Sequence, residues 1–145
     1  MKVIVTADHA GYELGQELKP FLEELGVEAT YTGPNTADSV DFSDYGFPAA
    51  ELVAKGEYDR GIVVCGTGIG MSIAANKVKG IRCALVHDVY TARVTREHNN
   101  SNVLAMGARV IGIDLAKEIV KTWIGTEFEG GRHQRRIDKV SDYEA

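Results

Sequence analysis

Five short runs of apolar residues alternate with stretches of helical spacing along this chain, and this alternation restricts the fold more than any other feature. The predicted strands are Lys2–Thr6, Val27–Thr32, Arg60–Cys65, Arg82–Val86 and Val103–Met106. The predicted helices are Tyr12–Leu25, Phe47–Lys55, Gly70–Lys77, Val89–Glu97, Leu115–Trp123 and Arg132–Tyr143, and the segment 33–46 is predicted to be a loop. Strands separated by helices favour an α/β fold, in which a five-stranded parallel sheet is covered by helices on both faces.

The order of the strands determines where a ligand can bind. We expect the order 2-1-3-4-5, a common order for a single domain of this kind. Strands one and three then lie side by side, and a crevice opens outside their carboxyl ends. No repeat, linker or low-complexity tract divides the chain, so we expect one domain over residues 1–145. Pro20 lies inside the first helix and predicts a kink or a split there.

Composition disfavours several classes of partner. The chain has 145 residues, 44% of them hydrophobic, which is enough for a full core. Its net charge of −5 disfavours non-specific binding to nucleic acid or to an anionic membrane. No apolar run approaches the length that crosses a bilayer, and no signal peptide is evident, so we expect a cytoplasmic protein. Both cysteines, Cys65 and Cys83, should then be reduced thiols.

Two polar segments fall at the expected crevice. Asp8-His9-Ala10-Gly11 follows strand one, and Cys65-Gly66-Thr67-Gly68-Ile69-Gly70 ends strand three and leads into a helix. The N–H groups of such a glycine-rich loop, together with the helix dipole, can hold a phosphate or a developing oxyanion. Glycine-rich turns without a ligand have the same spacing, and the loop alone does not decide between the two.

Better-known motifs do not fit this loop. A dinucleotide fingerprint needs its third glycine one residue after Gly70, and a Walker loop needs a lysine well before Lys77. A cysteine phosphatase loop needs arginine where Met71 stands. The four histidines and two cysteines show no spacing typical of metal ligands, so we expect no metal.

Two side chains are candidates for proton transfer. Cys65 lies at a strand end just before a helix, where the positive helix end favours a thiolate; an inert core cysteine is the alternative. His98 lies in the polar segment Glu97–Asn102, and an imidazole suits proton transfer near neutral pH; an ordinary capped helix end is the alternative.

The most basic stretch of this acidic chain is Gly130–Arg136. If it is helical, Arg132 and Arg136 share one face and can clamp a phosphate, whereas Arg135 points elsewhere. Arg109, just after strand five, is a further candidate. A solvated surface helix is the alternative for the whole stretch.

Taken together, these segments resemble the ribose-5-phosphate isomerase B family. The resemblance covers the whole chain in order and rests on Asp8–Gly11, Cys65–Lys77, Arg93–Asn102 and Glu129–His133. It implies a Rossmann-like three-layer α/β/α sandwich and no metal or organic cofactor. It also implies a homodimer, or a dimer of dimers, whose active sites draw on both subunits.

The resemblance further implies a role for each candidate residue. Cys65 is similar to the family's catalytic base, His98 to the acid that opens the furanose ring, and Thr67 to a hydroxyl that assists. The anion hole for an enediolate would consist of Gly66, Thr67, Gly68, Ile69 and Gly70. The other substrate contacts would be Asp8 and Asn99 on sugar oxygens and His9, Arg109, Arg132 and Arg136 on the phosphate. Some members carry a glutamate farther along the loop instead of the cysteine, but Ile73 and its neighbours offer no carboxylate here.

The reaction that this resemblance implies is the interconversion of ribose 5-phosphate and ribulose 5-phosphate. Galactose 6-phosphate or allose 6-phosphate is the alternative substrate within the same family. Outside it, the alternative is a non-catalytic, flavodoxin-like binding module. A related receiver domain would need a phosphorylatable aspartate where Cys65 stands.

Overall fold

The computed structural model describes all 145 residues and contains five strands and six helices. The strands are β1 (Lys2–Ala7), β2 (Glu28–Tyr31), β3 (Arg60–Cys65), β4 (Cys83–Leu85) and β5 (Val103–Gly107). The helices are α1 (Tyr12–Glu24), α2 (Phe42–Ala54), α3 (Ile69–Asn76), α4 (Val89–Asn99), α5 (Ile113–Gly125) and α6 (Arg132–Glu144). None of these helices has the length and apolar character needed to span a bilayer.

All four strand pairs of the sheet are parallel, which confirms the predicted five-stranded parallel sheet. The strand order is β2-β1-β3-β5-β4, so the expected order 2-1-3-4-5 is wrong in its last two strands. The reason is burial. All five residues of β5 are buried, whereas β4 has only three residues and exposes Leu85. A wholly apolar strand is stabilised by neighbours on both sides, and the short β4 is better suited to the edge.

The exchange of β4 and β5 changes what lies beside the end of β3. The chain that leaves β5 now runs along the glycine loop, and the N–H of Ala108 donates to the carbonyl oxygen of Cys65 at 2.9 Å. Arg109 follows, and its N–H donates to the oxygen of Gly66 at 3.0 Å. The observed strand order therefore places the cation Arg109 beside the glycine loop.

Two apolar clusters lie on opposite faces of the sheet, as strand alternation requires. Val3 and Val5 of β1 pack with residues of α1 and α5, including Leu18 and Trp123. The intervening Ile4 packs on the other face, in a cluster that contains residues of α2 and α3. Helix α6 lies outside and contacts α4. This arrangement confirms the predicted three-layer α/β/α sandwich.

One local prediction is wrong, and one of two alternatives at Pro20 is excluded. Helix α2 begins at Phe42, inside the predicted loop, because Gly46 lets it approach α3: a side chain there would lie 2.9 Å from the sulfur of Met71. Helix α1 continues through Pro20, so the proline does not split it. Pro20 is exposed on the helix surface, away from the core.

The contact between β5 and the glycine loop leads to a stability prediction for Gly107. A methyl group at this position would lie 2.6 Å from the carbonyl carbon of Thr67 and 2.7 Å from its Cα atom. We expect Gly107→Ala to lower the free energy of unfolding by about 1–3 kcal/mol, the usual effect of overpacking, measured by urea denaturation. Gly112→Ala is the matched control, since nothing lies within 4 Å of a methyl group there. Equal stability of the two variants would contradict the close contact.

Candidate active site

The carboxyl ends of β1 and β3 bring two of the predicted segments together. The N–H of Asp8 donates to the oxygen of Val64 at 3.1 Å, so the segment after β1 runs beside the end of β3. The buried carboxylate of Asp8 accepts the N–H groups of Ala10 at 2.9 Å and Gly11 at 3.1 Å, which fixes the turn into α1. Nδ1 of His9 accepts the N–H of Val40 at 3.1 Å. Asp8 and His9 therefore lie on an ordered turn beside the glycine loop.

Cys65 is 5% exposed and ends β3 at the start of this loop. Its sulfur accepts the N–H of Gly68 at 3.2 Å, so the thiol is oriented by a backbone donor of the loop. Gly68 has a φ of 79°, a left-handed conformation that favours glycine. It immediately precedes α3, whose positive end faces the same region. A backbone donor and the start of a helix therefore both lie beside the sulfur.

The rest of the loop presents polar and apolar groups around this sulfur. Thr67 is exposed, and its hydroxyl accepts the N–H of Ile69 at 3.2 Å. A side chain at Gly66 would lie 3.3 Å from the Arg109 guanidinium, which therefore covers that glycine. A side chain at Gly70 would lie 2.9 Å from the ring of Phe42. Phe42 lies in the segment that was predicted to be a loop, so the sequence did not place its ring against Gly70.

A second group of predicted residues lies elsewhere on the chain. His98, Asn99, Arg132 and Arg136 line one open cavity of about 390 Å³ between α4 and α6, together with His133. Helix α6 does begin at Arg132, as predicted, so Arg132 and Arg136 are one turn apart on the same face. The structure therefore brings these four residues together but does not place them with Cys65.

The separation of the two groups follows from the direction of the chain. Helix α4 leaves the carboxyl edge of the sheet after β4 and ends before the amino end of β5, and its 11 residues are about 16 Å long. Asn102, just beyond it, donates its N–H to the oxygen of Arg82 at 3.1 Å and accepts the N–H of Gly61 at 2.9 Å. His98 and Asn99 thus lie at the amino edge, opposite Cys65.

A buried arginine holds the end of α4 in place. Arg96 donates to the carbonyl oxygen of Ser101 at 2.6 Å, to Oδ1 of Asn100 at 2.9 Å and to the oxygen of Thr126 at 3.2 Å. Burial and two neighbouring arginines lower the pKa of Arg96 to about 10. The indole N–H of Trp123 donates to the Ser101 hydroxyl at 2.9 Å. These contacts fix the turn that carries His98 and Asn99.

Sequence reasoning also missed the surroundings of His98. Its ring stacks on that of His133, with centroids 4.2 Å apart and planes 13° apart. Oε1 of Glu129 lies 3.7 Å from Nε2 of His98 and 3.4 Å from Nε2 of His133. Burial, with His98 and Arg132 nearby, lowers the pKa of His133 below its ordinary value. In the sequence, the segment Glu129–His133 marks these residues as candidates, but it does not reveal that His133 is buried against His98.

The ligand atoms of His98, Glu129 and His133 lie within 4.8 Å of one another, which is close enough to consider a metal site. A ligating imidazole points its lone pair at the ion within the plane of the ring, at about 2.0–2.1 Å for zinc. Two nearly parallel rings with centroids 4.2 Å apart do not direct their lone pairs to one point. This arrangement does not fit chelation by both rings.

The sequence is similar along its whole length to known sugar phosphate isomerases. A Bacillus subtilis protein provisionally named as a sugar phosphate isomerase is 59% identical over 145 residues, which cover 99% of this chain and 97% of that protein. Ribose-5-phosphate isomerase B of Escherichia coli is 45% identical and covers 99% and 96%. D-erythrulose-4-phosphate isomerase of Pectobacterium atrosepticum is 41% identical and covers 99% and 95%.

Solved structures agree in fold. The structure of Clostridium thermocellum ribose-5-phosphate isomerase B has a TM-score of 0.97 and 51% identity, covering 99% of this chain and 97% of that one. That of Mycoplasma genitalium ribose-5-phosphate isomerase B, with bound ribulose 5-phosphate, has a TM-score of 0.95 and 39% identity, covering 99% and 95%. The family model described as Ribose/Galactose Isomerase matches residues 3–140. The chain therefore belongs to the ribose/galactose isomerase family.

Proposed function

We propose that this protein interconverts ribose 5-phosphate and ribulose 5-phosphate, with Cys65 as the base. The observation that carries the proposal is the Cys65 thiol, held by the Gly68 N–H at the mouth of a glycine loop that leads into a helix. Cys83 is not a rival base, because burial raises its pKa to about 12. We assign the activity to one domain over residues 1–145.

The proposed chemistry moves one proton between two neighbouring carbons. In the open-chain aldose, the thiolate of Cys65 removes the hydrogen from C2, and the electrons form an enediolate. A proton passes from O2 to O1, and the Cys65 thiol returns its proton to C1, which leaves the ketose. The hydrogen on C2 is a weak acid, so the base must be positioned and the oxyanion must be stabilised. The chemistry needs a reduced thiol, and we therefore expect the enzyme to work in the cytoplasm.

The glycine loop is the proposed anion hole. Donors aimed at a developing oxyanion are each worth about 3 kcal/mol of the barrier. Residues 66–70 offer backbone N–H groups at the start of α3, and the exposed Thr67 hydroxyl lies among them. Asp8 and His9 lie on the adjacent turn, and Arg109 covers Gly66. We assign Asp8 to a sugar hydroxyl and His9 and Arg109 to the phosphate.

We infer that a second copy of the chain completes the site. His98, Asn99, Arg132 and Arg136 lie at the opposite sheet edge from Cys65 within one chain, so they do not act on the same sugar there. β4 is the outermost strand on this side of the sheet, and exposed apolar side chains lie on it and on the helices beside it: Ile69, Ile73, Leu85 and Val140. In a two-fold dimer, the same surface of both subunits meets. Pairing along β4 would bring the amino edge of one subunit to the carboxyl edge of its partner. A dimer of dimers is compatible with the same pairing.

In the completed site, we assign His98 to opening the furanose ring and Asn99 to a sugar oxygen. Arg132 and Arg136 hold the phosphate through charge-assisted hydrogen bonds. The phosphate takes no part in bond changes, and its binding energy fixes the position of the reacting carbons.

A four-carbon sugar phosphate is the second candidate substrate, because a relative named for D-erythrulose 4-phosphate is almost as similar as the Escherichia coli ribose-5-phosphate isomerase B. The deciding experiment mixes the pure protein separately with the phosphates of ribose, erythrose, galactose and allose, and measures ketose formation. The proposal expects the largest kcat/KM with ribose 5-phosphate. A larger value with any other sugar would overturn the substrate assignment.

We predict that Cys65→Ser lowers kcat for ribose 5-phosphate by about 10²–10⁴-fold, the usual contribution of a positioned general base. An alcohol is a far weaker base than a thiol, whereas substrate binding should remain. Steady-state kinetics and calorimetric titration with ribose 5-phosphate measure the two effects. Cys83→Ser is the matched control and should keep near-normal turnover. A near-normal kcat for Cys65→Ser would remove Cys65 from the mechanism.

We predict that Arg132→Ala and Arg136→Ala each raise KM for ribose 5-phosphate by about tenfold or more, since a hydrogen bond to a charged group contributes roughly 1.5–3 kcal/mol. Arg135→Ala is the control, because Arg135 is on the same helix but does not line the cavity. The measurement is the dependence of initial rate on substrate concentration. The clamp would be refuted if the control raised KM as much as the other two variants.

A further inference from the structure

We propose that Glu129 is a positioning residue, which orients His98 and holds its proton for ring opening, with His133 as a stacked support. This inference rests on the proposed function and adds two residues that the family resemblance did not assign a role. His98 has a side chain that is 40% exposed at the end of α4, so its ring needs an external constraint to present one nitrogen to a substrate.

The first part of that constraint is the stacked ring of His133. The two imidazoles lie face to face, with centroids 4.2 Å apart. His133 is the fixed partner, because it is buried at the start of α6 while His98 is partly exposed. Stacking on a buried ring restricts the plane of the His98 ring.

The second part is the carboxylate of Glu129, which contacts Nε2 of both rings. At 3.7 Å from His98 and 3.4 Å from His133, this carboxylate acts as a nearby negative charge and acceptor, which favours a hydrogen on the nitrogen that faces it. We infer that the neutral His98 ring carries its hydrogen on Nε2, the nitrogen nearer to this carboxylate, so that Nδ1 is the nitrogen that exchanges a proton with the sugar. The N–H of Glu129 donates to the oxygen of Glu97 at 3.1 Å, which ties the carboxylate to the last turn of α4.

The surroundings of the pair disfavour a charge on His133. Burial opposes a charge on His133 and lowers its pKa, and Arg132 and Arg136 lower it further. Glu129 supplies the one carboxylate that contacts both rings. Glu97 is engaged by Arg93, at 2.8 Å. The buried His133 therefore serves as the support of the pair, and the partly exposed His98 is the ring that can meet a substrate.

The kinetic test uses Glu129→Gln, which keeps the size of the side chain and removes its charge. Glu127→Gln is the matched control, since Glu127 is exposed in the same segment and contacts neither histidine. Two substrates separate ring opening from isomerisation. Ribose 5-phosphate is mostly a closed furanose, whereas erythrose 4-phosphate has no free hydroxyl with which to close such a ring.

We expect Glu129→Gln to lower kcat for ribose 5-phosphate about tenfold, a part of the 10²–10⁴-fold that a positioned general acid or base contributes, with little change in KM. Turnover of erythrose 4-phosphate should stay near the wild-type value, and His98→Asn should show the same selective loss. An unchanged kcat on ribose 5-phosphate, or equal losses on both sugars, would overturn the positioning role.

A second measurement needs no turnover and therefore separates this inference from the proposed function. Nitrogen-15 NMR of the histidine rings reports which nitrogen carries the proton. We expect neutral His98 to be protonated on Nε2 in the wild type and in Glu127→Gln, and to become a mixture of tautomers in Glu129→Gln. An unaltered tautomer would overturn the inference even if the wild type isomerises ribose 5-phosphate. If the wild type does not isomerise ribose 5-phosphate, the proposed function is overturned. The NMR result then decides whether Glu129 orients His98.

Discussion

The parallel direction of the five strands is the constraint on which the rest of this structure depends. It gathers the carboxyl ends of β1, β3 and β5 at one edge, where Cys65 ends β3 and where Asp8 and Arg109 lie just beyond β1 and β5. It also requires every connecting helix to carry the chain back, so the end of α4 reaches the opposite edge. The thiol and the cavity of His98, Arg132 and Arg136 therefore lie at opposite edges of the sheet, and we propose that they are two halves of a site that a two-fold dimer joins.

Each half is held by backbone groups rather than by flexible surface contacts. On the thiol side, the Gly68 N–H orients the sulfur, and the glycines let β5 and Leu85 approach the loop closely. On the other side, buried Arg96 binds carbonyl oxygens beyond α4 and so fixes the turn that carries His98. This rigidity suits proton transfer, because the reaction depends on short, well-aligned distances. Because the net charge is −5, the proposed phosphate site depends on a few local arginines.

Much of the fold followed from the sequence because apolar spacing reports local structure directly. The runs around Arg60–Cys65 and Val103–Met106 predicted buried strands within a residue or so, and the start of α6 at Arg132 was predicted correctly. The positions of β4 and β5 were not, because strand order depends on packing between distant segments. The start of α2 was missed for a similar reason, since its Gly46 is explained only by the contact with Met71. The candidate site residues were chosen from polar segments of the sequence and from the family resemblance. The stacking of His98 on His133 could not be chosen in this way, because it depends on how α4 and α6 pack.

The central claim, that one active site is built from two chains, is tested most directly by mixing two inactive variants. One carries Cys65→Ser, and the other carries both Arg132→Ala and Arg136→Ala. Each homodimer lacks a working site, but a mixed dimer contains one site with an intact thiol from one chain and intact arginines from the other. After unfolding and refolding together, an equal mixture should regain about a quarter of wild-type activity on ribose 5-phosphate, assayed below KM. Activity no greater than the sum of the separate variants would contradict the claim.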